Sequence, residues 1–151
     1  MTLLDRDWIA AHVPHGGSMC LLERVLQWDA RAIVCVASNH RSPDNPLRGA
    51  GRLGIAAGIE YAAQAMAVHG ALLAAQRPSH GHGYLASARD VRWWVARLDD
   101  LAKPLRVGAQ RLAGDNACVI YGFDLQAGGH ILLEGRATVM LNAAAPGLQT
   151  R

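Results

Sequence analysis

Between Leu53 and Gln76 a single side chain carries a formal charge: Glu60, within Gly58-Ile59-Glu60-Tyr61-Ala62-Ala63-Gln64. The run around it is rich in Ala, Leu, Ile and Met and reads as a helix buried on nearly every side. An ionised carboxylate buried there without a partner is destabilising, or its pKa is forced upward. A carboxyl group so placed is a candidate general acid or base. The same residue also fits a bland role, a carboxylate bonding backbone amides in the first helical turn. Gln64, one turn on, shares the face of Glu60 and can orient the carboxylate or a water, or simply bond across a dimer.

Histidines are the natural partners of such a carboxylate. His15 sits in the turn Pro14-His15-Gly16-Gly17, where its ring can equally serve only to bond backbone, and His40, held as the reserve candidate, lies in an irregular segment of the kind where site residues are common. His69 follows Glu60 by nine residues, about 180° around a helix at ~100° per residue, and reads as a core histidine. His80-Gly81-His82 lacks neighbouring Cys or carboxylate ligands, so a solvated turn and no metal site are expected.

These residues need a frame. Residues from about Asp5 to Val13 read as a short helix burying Trp8, Ile9, His12 and Val13, ended by Pro14. An extended run follows from Met19 to Gln27, then a turn at Trp28-Asp29-Ala30-Arg31 and a strand from Ala32 to Ser38. Pro43, Pro46, Gly49 and Gly51 break regular structure before the long helix. Beyond it, Tyr84–Val95, Leu105–Leu112 and Ala117–Gln126 read as strands. The last strand alternates, with Ile131, Leu133, Gly135, Ala137, Val139 and Leu141 on one face. Of the adjacent Trp93 and Trp94, one is expected to face the core and the other the surface or a partner. The sum is α+β: one antiparallel sheet wrapped around one long central helix, a single domain over residues 1–141 with a loose tail at 142–151.

Bulk properties exclude several classes. The 151 residues are 51% hydrophobic and 18% charged, which argues against disorder and hints at surface hidden in an oligomer. A scattered net charge of +3 argues against nucleic acid and suits an acidic partner protein, for which Arg89, Arg92, Arg97 and Lys103 offer a basic rim. The long apolar run contains Glu60, Gln64, His69 and three glycines, so a membrane span is rejected. Cys20, Cys35 and Cys118 read as reduced thiols, and the acidic opening residues lack the pattern of a secretory signal; the expected location is the cytoplasm.

Three local words, in their order and spacing, carry a resemblance. They are Val13-Pro14-His15-Gly16-Gly17-Ser18-Met19-Cys20-Leu21-Leu22-Glu23-Arg24-Val25, the helix start Gly58-Ile59-Glu60-Tyr61-Ala62-Ala63-Gln64-Ala65, and Gly83-Tyr84-Leu85-Ala86-Ser87. Over nearly the whole chain the sequence resembles the hotdog-fold dehydratases that act on 3-hydroxyacyl carrier-protein thioesters. It looks closer to the divergent branch associated with aryl-polyene biosynthesis. The housekeeping members carry a Gly-His-Phe-Pro loop shortly before the helix carboxylate; here Asn45-Pro46-Leu47-Arg48 stands roughly in that place.

The resemblance implies Glu60 as a catalytic residue and His15 as its partner. Dehydration removes a proton beside the thioester carbonyl and protonates the leaving hydroxyl, while a donor stabilises charge on the carbonyl oxygen. At a helix N-terminus the amide of Gly58 or Ile59 can supply that donor, and a glycine permits close substrate approach. No cofactor is implied. The implied partners are an acyl carrier protein bearing a phosphopantetheine-linked substrate and a second copy in a homodimer, or a second hotdog subunit. Two other activities stay open: an acyl-thioesterase, and a non-catalytic acyl-binding subunit of a mixed dimer.

Overall fold

The computed structural model describes residues 3–13, 19–76 and 82–142. A short helix α1 (Arg6–His12) opens the chain, its first turn capped by the Asp5 carboxylate, which accepts from the Trp8 amide at 3.0 Å. Strands β1 (Arg24–Trp28) and β2 (Ala32–Ala37) form a hairpin, helix α2 (Ala57–Gln76) follows, and four strands complete the chain: β3 (His82–Trp93), β4 (Leu105–Gly114), β5 (Cys118–Ala127) and β6 (His130–Asn142). All pairings are antiparallel, in the order β1-β2-β4-β5-β6-β3, so β3 crosses over to the far edge and pairs with β6.

The registers align the apolar side chains into rows. Cys35 pairs with Val107, Val107 with Leu125, and Leu125 with Leu133, giving one inward row across four strands. α2 seats its first turn on this row. A Cβ at Gly58 would lie 2.7 Å from Leu133 Cδ2 and 3.1 Å from Leu125 Cδ2, so Gly58 lets the helix meet the sheet. The irregular segment before α2 is pinned from the helix side. Tyr61 Oη donates to Asn39 Oδ1 at 2.7 Å and accepts from Asn45 Nδ2 at 3.0 Å, which satisfies the buried Asn45.

A second latch fixes the approach to the helix. Leu98 donates to Leu53 O at 2.8 Å, Ile55 donates to Ala96 O at 3.0 Å, and the Leu53 amide donates to Asp99 Oδ1 at 3.0 Å. The Arg97 guanidinium grips the same carboxylate through both Nε and Nη2, and with the Leu53 amide holds Asp99 well below the usual carboxylate range.

Several sequence expectations need correction. The extended run from Met19 becomes a strand only at Arg24, because Cys20, Leu21 and Leu22 pass fully buried in the core and the Leu21 amide bonds to a side chain, Gln64 Oε1, at 2.8 Å. The alternation of β6 fails at its start. A register shift opposite Leu125 and Gln126 buries Leu132 and leaves Ile131 exposed. Trp93 and Trp94 are both exposed rather than split between core and surface, since the β3–β6 register shifts between Arg89 and Arg92 and re-aims the strand end. His12 is exposed, stacked on Trp8 with ring centroids 4.0 Å apart. The tail expected at 142–151 falls, beyond Asn142, outside the described residues.

Candidate active site

The helix that carries Glu60 is not closed on every side. Tyr61, Ala62, Ala65, Val68 and Leu72 are buried, whereas Glu60, Ala63, Ala67, Gly70 and Ala71 are half-buried. Steps of three and four residues place the second set on one stripe of the helix. Beyond Glu60 the open stripe carries no side chain larger than alanine, and with Met66 it walls a cleft of about 670 Å³ between α2, the end of α1 and the inner face of β3, β5 and β6. Glu60 stands at one end of the helix wall and Ala71 at the other.

Gln64 organises the acidic end. Its side chain is wholly buried and makes three hydrogen bonds: Nε2 donates to Met19 O at 2.7 Å and to Glu60 Oε2 at 3.3 Å, while Oε1 accepts from the Leu21 amide at 2.8 Å. One amide therefore ties the carboxylate to Met19 and Leu21. This bears on His15, which itself lies outside the described residues. The residues on either side of 14–18 are placed: Val13 lines the cleft and Met19 is held by Gln64.

Other predicted residues stand apart. The amides of Gly58 and Ile59 already donate, at 2.8 and 3.1 Å, to the carbonyls of Ile55 and Ala56. Neither residue is among those that line the cleft, and Gly58 packs against Leu125 and Leu133. His40 is buried in a 3-10 turn (Asn39–Arg41), bonded through Nε2 to Leu101 O at 2.9 Å, and is absent from the cleft lining. Its Nδ1 is buried with no hydrogen-bond partner among the described residues, and burial pulls its pKa down.

His69 is the core histidine expected, with a defined tautomer. Nε2 lies 2.8 Å from Asp29 O, a carbonyl that can only accept, so neutral His69 carries its proton there. Nδ1 then accepts from Tyr121 Oη at 2.6 Å. Burial depresses the His69 pKa and pushes the Tyr121 phenol up to about 12. Tyr121 also contributes to the floor of the cleft.

One residue escaped the sequence reading. His12 lines the same cleft as Glu60, its Nδ1 bonded to Trp8 O at 2.8 Å. That bond places the proton of the neutral ring on Nδ1 and leaves Nε2 as an acceptor. Nothing in the local sequence signals this, because it depends on how α1 lies over α2.

Among the described residues no group of His, Cys, Asp or Glu could hold a metal ion, and no helix is long and apolar enough to cross a membrane. His80 and Gly81 lie outside the described residues, as does the side chain of His82. Of the basic rim, Arg97 is committed to Asp99, while Arg89 and Arg92 are exposed on β3. Cys20, Cys35 and Cys118 are free thiols; burial pushes Cys35 up to about 12.

An antiparallel sheet rolled around one long helix, with a carboxylate in the first turn of that helix facing a cleft, is a hotdog fold. The chain belongs to the ApeP-like family, whose model, described as ApeP dehydratase, matches residues 8–148. Among solved structures, the dehydratase heterocomplex ApeI:P from Xenorhabdus doucetiae aligns with a TM-score of 0.79 at 23% identity, covering 99% of this chain and 97% of that one. A mutant thioesterase from Pseudomonas aeruginosa aligns at 0.66 and 12% identity, covering 91% and 93% of the two chains. Zebrafish thioesterase superfamily member 2 aligns at 0.65 and 15%, covering 91% and 95%. At these identities the likenesses are of fold. No curated protein matches the chain.

Proposed function

We propose that this dehydratase-family chain converts 3-hydroxyacyl thioesters on acyl carrier protein to 2-enoyl thioesters, with Glu60 and His15 dividing the acid and base work. One observation supports this above the rest: the charged residue of the α2 stripe stands at the end of an apolar cleft, held by Gln64. In the reaction one group removes a proton from C2. The electron pair forms the C2–C3 double bond, and the C3–O bond breaks as the second group protonates the departing hydroxyl to water. The resemblance of the sequence around Pro14-His15 to the family's opening Pro-His word, with Met19 anchored by Gln64 nearby, supports His15 as the second group.

Pairing with a second hotdog subunit or a second copy is also proposed. β3 is an edge strand and carries the exposed rings of Tyr84 and Trp93, surface that a partner strand would cover. The solved heterocomplex named above favours the mixed pairing.

The test is mass spectrometry of a 3-hydroxyacyl carrier protein incubated with the pure chain, alone and with a second hotdog dehydratase. Loss of one water, lowered about 10²–10⁴-fold in Glu60→Gln, is expected. Release of bare carrier would mean a thioesterase. No change alone, but acceleration of the second enzyme on mixing, would mean a non-catalytic subunit.

A further inference from the structure

The geometry points to Gly70 as the residue that sets how long an acyl chain this cleft accepts. The inference rests on the reading above, in which the reacting carbons of a thioester lie at Glu60. The rest of the acyl chain must then leave Glu60 along a surface, and the cleft supplies one. Its helix wall is Met66 and the half-buried stripe Ala63, Ala67, Gly70 and Ala71, and the facing wall includes Leu85, Val139 and Leu141. Among the described residues lining the cleft, Glu60 is the only one with a formal charge at neutral pH. An apolar, extended ligand with its reactive head at Glu60 matches that distribution.

Among the described residues two glycines, Gly70 and Gly83, line the cleft, and they differ. A Cβ at Gly83 would lie 2.6 Å from Val139 Cγ1, so the absent side chain there is already replaced by a neighbour. A Cβ at Gly70 would meet no heavy atom within 4 Å among the described residues. Gly70 therefore leaves its space to whatever occupies the cleft. Glycine mid-helix is otherwise unfavourable relative to alanine, and packing among the described residues gives no reason for it here.

The position gives a length. Gly70 is ten residues past Glu60, about 15 Å along the axis at ~1.5 Å per residue. Carbon–carbon bonds of about 1.5 Å at tetrahedral angles advance an extended chain about 1.25 Å each, so about a dozen carbons fit between the two residues. A leucine at position 70 leans back toward the helix N-terminus and blocks about one turn, ~5.4 Å, or about four carbons.

The experiment compares wild type, Gly70→Ala and Gly70→Leu. It measures binding of saturated acyl-pantetheine thioesters of increasing length, water loss from 3-hydroxyacyl carrier proteins of matched length, the sedimentation state, and the melting temperature. For wild type, each added methylene is expected to tighten binding about fourfold until the chain reaches about a dozen carbons beyond the reacting pair. In Gly70→Leu the break moves about four carbons earlier, long chains lose affinity on the order of a hundredfold, and short chains bind as before. Gly70→Ala shifts the break in the same direction by less, and both variants melt no lower than wild type.

An unmoved break, an equal loss at every length, or a change in sedimentation state with the break in place would overturn the proposal; the last would make the stripe a contact between copies. The two readings fail separately. A movable break without water loss removes the proposed reaction and keeps the gauge. Water loss without a movable break does the reverse.

Discussion

Gln64 donates to Glu60 at 3.3 Å through the same nitrogen that donates to Met19 O at 2.7 Å, so a buried amide couples the helix carboxylate to a residue 45 positions before Gln64 in the chain. The shorter bond is to the backbone, which identifies the first duty of Gln64 as holding that residue and its second as orienting Glu60.

Replacing Gln64 by Leu strands the buried Leu21 amide. Stability should fall by about 1–3 kcal/mol, the usual range for a buried donor left unsatisfied. Urea unfolding reads the stability. Turnover at saturating substrate should fall more than KM rises, since the loss is one of orientation at the carboxylate.

Two glycines of α2 should answer substitution with opposite sign. Gly58→Val drives a side chain into Leu133 and Leu125 and should cost about 1–3 kcal/mol. Gly70→Ala meets open space and should gain roughly 0.5–1 kcal/mol from helix propensity. Thermal melts of the two variants side by side check the contrast.

Tyr121→Phe removes the donor to His69 Nδ1 and leaves a buried acceptor unpaired, for an expected loss of about 1–3 kcal/mol. Simultaneous replacement of His69 by Leu should recover part of that loss, because removing both polar partners leaves neither unsatisfied. A double-mutant cycle in denaturant measures the coupling.

Acid should destabilise the fold in two steps. His40 and His69 have pKa values lowered by burial, so the unfolded chain binds more protons than the native one in the window between their native values and the ordinary one. Stability is therefore full above about 6.5 and declines as pH falls below it. Asp99, held low chiefly by Arg97, adds stability above about 3.9 that is lost as pH falls through its native value. Unfolding midpoints against pH should show both steps. His69→Gln should shrink the first and leave the second.

Much of this was legible in advance. A lone carboxylate at the start of a long apolar helix, a Gln one turn on and alternating strands around them sufficed for one antiparallel sheet around one long helix and for Glu60 as the residue of interest; the hotdog class followed from the resemblance. These are local signals, set by periodicity within one element. The open stripe of α2 was not legible. Ala62 faces the core and Ala63 the cleft, and hydropathy assigns them the same value.

The tertiary structure alone decided the rest. It packed Gly58 against Leu125 and Leu133, set His40 apart from the cleft and brought His12 to it, and joined Gln64 to Leu21 across 43 residues. It also exposed Trp93 and Trp94 together through a register shift in β3. Each outcome depends on which distant segment lies against a side chain. Sequence fixes what a residue can do chemically and which way its own element turns it, but the neighbour that makes use of it is chosen by packing.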